Sequence, residues 1–189
     1  GETILVLSAA DGCDALALRA TDHLPAGRQR RTVAEQLDDG VVCDAALAAV
    51  GAERVVAAGD VARWPNPLFG GLAMRVEHWT NAVEAGAAAA RTLLRGSGPE
   101  TAYRAVPSVW SDHFGVRLQT VGLPALADRI EVVEGSVEER RFCAVATRAG
   151  RLIGAVAYAM PKALVRYRIR LARGAYLEQP AGTASGAAA

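Results

Sequence analysis

Val56-Ala57-Ala58-Gly59-Asp60-Val61-Ala62 decides how this chain is read. The run up to Ala58 is apolar without alternation, the pattern of a short strand covered on both faces rather than of a half-exposed one. Gly59 then allows a close backbone approach. A carboxylate placed at the C-terminal end of such a strand accepts hydrogen bonds from sugar-type hydroxyls. Asp60 has a plainer use as well, capping the turn that follows a buried strand.

Upstream of this segment, residues 3–8 read as another buried strand, followed by a helix over 14–22 capped by Asp11 or Asp14. Residues 25–31 are a basic loop and 32–37 a short helix. Asp38-Asp39-Gly40 is a turn before a strand at 41–43, and Asp44 caps a helix over 45–50 that Gly51 ends. Downstream, Pro65, Pro67, Gly70 and Gly71 mark residues 63–76 as a loop. Asn81 with Glu84 fits an N-cap and its N3 partner, heading a helix that continues through Leu94 and stops near Gly96.

Residues 97–108 read as a linker, after which the pattern changes to strands over 116–121, 129–134, 140–147 and 151–159. Ala149-Gly150 signals a hairpin turn between the last two. A helix over 162–172 follows, basic on one face. The tail from 179 is rich in small residues and expected to be disordered. The domains expected are 1–96, 103–175 and the tail 179–189.

A chain of 189 residues with 51% hydrophobic and 22% charged residues has the balance of a soluble globular protein. A net charge of +1 argues against a nucleic acid or a membrane surface as partner. No stretch has the length and apolarity of a membrane span, and no secretory signal opens the sequence. Cys13, Cys43 and Cys143 are odd in number and widely spaced, which fits reduced thiols and a cytoplasmic location. They form no pattern of metal-ligand spacing with the three histidines, so no metal is expected.

Two further segments complete the pattern: Val76-Glu77-His78-Trp79-Thr80-Asn81-Ala82 and Val109-Trp110-Ser111-Asp112. Together with Ala58-Gly59-Asp60, in this order and at this spacing, they resemble the C-terminal half of FAD-dependent ferredoxin reductases, over about residues 38–173. The resemblance implies an α/β plus α+β fold: a reduced FAD-binding-type layer followed by a ferredoxin-reductase-like interface domain with an antiparallel sheet. It also implies that Asp60 contacts the ribityl chain of FAD. The segment through Trp79 would pass under the flavin ring. The helix start near Ala82 would offer N–H groups to the pyrimidine carbonyl, and Trp110 would lie beside the isoalloxazine on the ferredoxin-docking side.

The family's two Gly-x-Gly-x-x-Gly fingerprints are missing. After the strand Glu2 to Leu7 comes Ser8-Ala9-Ala10-Asp11-Gly12-Cys13, where side chains and a carboxylate replace the glycines that let a backbone approach a phosphate. A natural internal deletion, or a shift of reading frame near the start, accounts for this. No residue offers a hydride-donor site.

Within the inherited cleft, His78 is the acid/base candidate, with Glu77 beside it. Asp60, Trp79, Ala82 and Trp110 are the ligand or residual flavin contacts. Trp64, Trp79 and Trp110 line either a pocket or the core. Ser111-Asp112-His113 has the residues of a hydrolase triad, but neighbours on a strand point to opposite faces and cannot form its chain of contacts. Lys162, Arg166, Arg168, Arg170 and Arg173 form either a docking face for an acidic partner or a solvated helix face.

The resulting expectation is a degenerate ferredoxin-reductase-like protein with no cofactor. Its former flavin cleft would hold a small apolar molecule for non-redox cyclisation or isomerisation, and the protein would form a homodimer. Two alternatives stand beside it. One is a residual FAD-binding subunit working in electron transfer with a partner such as a ferredoxin. The other is a non-catalytic dimerisation module.

Overall fold

The computed structural model describes residues 40–176 in full and the backbone of residues 4–8 and 16–19. The chain falls into two compact units. The first holds the residues up to Pro67 together with Gly71–Ala105, and the second holds Leu68–Gly70 and the residues from Val106 on.

In the first unit, β1 (Ile4–Ser8) pairs parallel with β4 (Val55–Gly59) and antiparallel with β2 (Leu16–Arg19). The helix expected over 14–22 is therefore a strand at its centre. A chain that returns beside β1 satisfies that strand's open edge, and such pairing overrides local helix preference. β4 is buried along its whole length, as its unbroken apolar run requires.

A second small sheet joins β3 (Val41–Val42) in parallel to β5 (Ala62–Asn66), which pairs antiparallel with β6 (Leu72–Arg75). Residues 63–76, read as a loop from their prolines and glycines, are thus a hairpin with a 3-10 turn at Pro67–Phe69. Pro65 is tolerated because β3 reaches only Ala62 and Arg63, leaving the strand beyond them an edge on that side.

Helix α1 (Trp79–Arg95) lays Ala85, Ala88 and Ala89 against the core, and Thr92 Oγ1 donates to Ala46 O at 2.6 Å. Small side chains on that face bring the helix close to β4. Its N-cap is His78 rather than Asn81, and Gly96 is its C-cap. The helix expected over 45–50 is a turn. Asp44 Oδ1 accepts the N–H groups of Ala46 (2.8 Å) and Ala48 (3.0 Å), and Ala49 bridges to Cys43. Asp44 thus caps a local turn in place of a helix, a known competitor with helix formation. The segment read as a linker carries a 3-10 turn at Pro99–Thr101 and the buried residues Tyr103, Ala105 and Val106.

The second unit is a five-stranded antiparallel sheet in the order β7-β8-β11-β10-β9: β7 (Ser108–His113), β8 (Val116–Gly122), β9 (Arg129–Ser136), β10 (Arg141–Arg148) and β11 (Arg151–Tyr158). Ala149 and Gly150 turn from β10 to β11 with φ of 48° and 74°, the left-handed pair that a two-residue hairpin needs. Helix α2 (Leu164–Ala172) packs on β8 and β11 and turns Leu164, Tyr167 and Leu171 inward. The expected antiparallel sheet with its closing helix is present. The helix 32–37, the loop 25–31, Cys13 and the tail 179–189 lie outside the described residues.

Candidate functional site

The parallel register sets Ser8 opposite Gly59, so β1 and β4 end side by side. The C-terminal edge of adjacent parallel strands is where open α/β sheets bind ligands. Gly59 has φ of +75°, a conformation that strains any residue with a Cβ, and it carries the chain directly into Asp60.

Asp60 is partly buried, and its Oδ1 finds no hydrogen-bond partner among the described residues. Its backbone carbonyl accepts from Arg75 Nη1 at 3.3 Å, while Arg75 Nη2 pairs with Glu77 Oε1 at 2.7 Å. Burial, reinforced by the Glu77 carboxylate and opposed by Arg75 and His78, holds the Asp60 carboxyl above the usual carboxylate range.

His78 lies half-buried between the end of β6 and α1, and its Nδ1 is also buried without a partner. Burial keeps its imidazole below the ordinary histidine range, against the pull of Asp60 and Glu77. Glu77 is exposed and engaged with Arg75. Of the two acid/base candidates, only His78 therefore has a desolvated, unspent atom.

Trp79 opens α1 with 64% of its surface exposed. The N-cap His78 makes no side-chain capping hydrogen bond and the first turn holds no acidic residue, so no carboxylate within that turn offsets the positive end of the helix. The Ala82 N–H donates to His78 O at 3.0 Å within the first turn.

Asn81, expected as the cap, has another task. It is buried, donates from Nδ2 to Val76 O at 2.9 Å and accepts the Tyr103 hydroxyl on Oδ1 at 3.1 Å. It thereby ties the segment carrying Glu77 and His78 to the core. The Tyr103 ring lies 5.3 Å from that of Trp64, which is fully buried and belongs to the core. The sequence missed this clamp because Asn81 with Glu84 satisfies the simpler capping pattern.

Trp110 belongs to the second unit, on β7 opposite Gln119, and is 43% exposed. Ser111 Oγ and His113 Nε2 meet at 2.7 Å on one face of that strand, while Asp112 turns to the other and is held by Arg117 Nε and Nη2, each at 2.8 Å. The hydrogen bonds from Arg117 keep the Asp112 carboxyl below its usual range. No nucleophile–base–orienter chain forms.

Cys43 and Cys143 are buried free thiols, and burial pushes Cys43 up to about 12. Among the described residues no cluster of histidine, cysteine and carboxylate side chains is suited to a metal. No described helix is long and apolar enough to cross a membrane.

Arg166 on α2 pairs with Glu134 at 2.7 Å and lies over the Tyr167 ring. Beside it, a groove of about 520 Å³ is lined by Arg129, Glu131, Val133, Thr147, Tyr167 and Arg170 among others. Its mixed charge does not suit an apolar molecule.

Residues 108–185 match the family described as Reductase C-terminal. Rhodocoxin reductase of Rhodococcus erythropolis is 36% identical over 126 residues, covering 67% of this chain and 28% of that protein. The crystal structure of Fdr9 superposes with a TM-score of 0.63 at 32% identity, over 73% of this chain and 35% of that one. The covalent putidaredoxin reductase–putidaredoxin complex gives a TM-score of 0.62 at 26% identity, over 72% and 31%.

This chain is a relative of the FAD-dependent ferredoxin reductases. The likeness lies in their C-terminal portion, and the chain spans about a third or less of the length of these relatives. None of these three names points to cyclisation or isomerisation.

Proposed function

We propose that this relative of the ferredoxin reductases works in electron transfer, as a residual flavin-binding protein acting with a partner such as a ferredoxin. The observation that carries this reading is the Asp60 carboxylate, which leaves Gly59 at the end of a buried parallel strand with one oxygen desolvated and unpartnered. A buried polar atom of this kind calls for a donor. The sugar-like hydroxyls of a flavin side chain are such donors, so the polyol side of FAD fits the residues present.

Asp60 would hold the polyol, with Gly59 allowing its close approach. Trp79 and the uncapped start of α1 would face the flavin's electron-rich carbonyl edge. FAD, when bound, supplies reversible electron transfer. This chain's own residues supply binding, orientation and partial exclusion of water. In the second unit, Trp110 and the adjoining hairpin tip Phe114, which is fully exposed, offer an aromatic surface to a redox partner.

The test is an absorbance spectrum of the purified protein followed by titration with FAD. Flavin bands on the protein, or saturable binding that Asp60→Ala weakens at least tenfold, support the reading. A colourless protein that takes up no flavin between pH 5 and 9 overturns it.

A further inference from the structure

Three buried polar atoms among the described residues of the first unit are unspent: Asp60 Oδ1, His78 Nδ1 and, within the core, Trp64 Nε1. Asp60 Oδ1 and His78 Nδ1 are both buried, and neither has a hydrogen-bond partner among the described residues. The two side chains also sense each other's charge. Nearly all buried polar atoms in folded proteins are satisfied, so two orphans in one neighbourhood point to a missing molecule.

The donor and acceptor inventory narrows its chemistry. A carboxylate oxygen only accepts. Nδ1 of a neutral imidazole accepts when Nε2 carries the proton. Arg75, the cation beside them, is already engaged with Glu77 and with the Asp60 carbonyl. The pair therefore asks for two donors and offers little to an anion.

We infer that His78 is a second anchor of the Asp60 site, that the two together grip adjacent hydroxyls of a polyol chain, and that protonation of His78 releases it. This rests on the flavin reading above and deepens it, because the polyol is then the ribityl chain. The charged groups bearing on His78 are Asp60 beyond β4 and Glu77 in the connection after β6, with Arg75 at the end of β6 bearing on Asp60. Protonation of His78 removes its acceptor and supplies an imidazolium that competes with the ligand for Asp60.

Sign and size follow from linkage. A ligand that requires the neutral imidazole lowers its pKa further. Affinity is then full above the titration of the free protein and falls about tenfold per pH unit below it.

The experiment titrates the whole chain with riboflavin and with lumiflavin, in which a methyl group replaces the ribityl chain, between pH 5 and 8.5. Wild type and His78→Gln are compared, and the imidazole NMR signal of His78 is followed in wild type. The expected result is riboflavin affinity that drops about tenfold per unit in acid, a flat profile in the variant, weak and pH-independent lumiflavin binding, and a His78 pKa lowered by riboflavin. Equal binding of the two flavins, an unchanged slope in His78→Gln, or a His78 titration that riboflavin does not move overturns the second anchor and leaves the flavin reading standing. Failure of wild type to bind any flavin, FAD included, across the range overturns both. The NMR titration decides the matter even where the variant does not fold.

Discussion

At Asp60 the demands of folding and of the proposed flavin contact are opposed. Its raised pKa means that folding favours the protonated form. Its contribution to stability is present below the unfolded carboxyl value and is lost as pH rises through the folded one. Asp60→Asn, which never ionises, is therefore expected to raise the melting temperature near neutral pH. The advantage should vanish below about pH 4, where the carboxyl is protonated in both states. The same variant should bind flavin more weakly. A thermal melt at two pH values checks the first outcome and a flavin titration the second.

His78 has the opposite sign. Its pKa is lowered, so its contribution is present above the unfolded histidine value and is lost as pH falls through the folded one. Melting temperature should decline from about pH 6.5 downward, and His78→Gln should flatten that decline.

Elements depend on a few fixed points. Asn81→Ala leaves Val76 O and the Tyr103 hydroxyl without their partner and is expected to cost about 1–3 kcal/mol in denaturant unfolding. It should also loosen the segment that carries His78, so flavin affinity falls with stability. Gly122 ends β8 with φ of +73°, and a Cβ there would run into Ile153 O and Gly154. Gly122→Ala should cost about 3 kcal/mol or more, measured the same way.

What the sequence displayed at this scale was whatever depends on the residue's own neighbours. The continuous apolar run of β4 and the Ala149-Gly150 turn were legible because burial and left-handed geometry leave compositional marks. β2 and the β5–β6 hairpin were not, since the partner strand, absent from any local window, decides them. Pro65 hid a strand because the rule against proline does not hold at an edge. Asp60 was readable as a candidate from its position after Gly59. The unspent Nδ1 of His78 was not, because a missing hydrogen bond is a fact of three dimensions.

For the whole molecule, a net charge of +1 and an isoelectric point near 8.0 leave little repulsion between copies in mildly basic buffer. Exposed Trp79, Val83 and Leu94 on α1, and Phe114 at the hairpin tip, supply apolar surface for contact. Turbidity should peak near pH 8 and clear as the pH moves away from it and net charge grows. A solubility curve with no minimum there would contradict this.

The three tryptophans give the protein its own optical instrument. Trp64 is sealed in the core against Tyr103, whereas Trp79 and Trp110 are exposed, one in each unit. Iodide should quench the latter two and leave a blue-shifted emission from Trp64. Single replacements at 79 and 110 then leave one solvent-exposed reporter in each variant, so the proposed ligand uptake near His78 and partner docking near Trp110 can be followed separately, one in each variant.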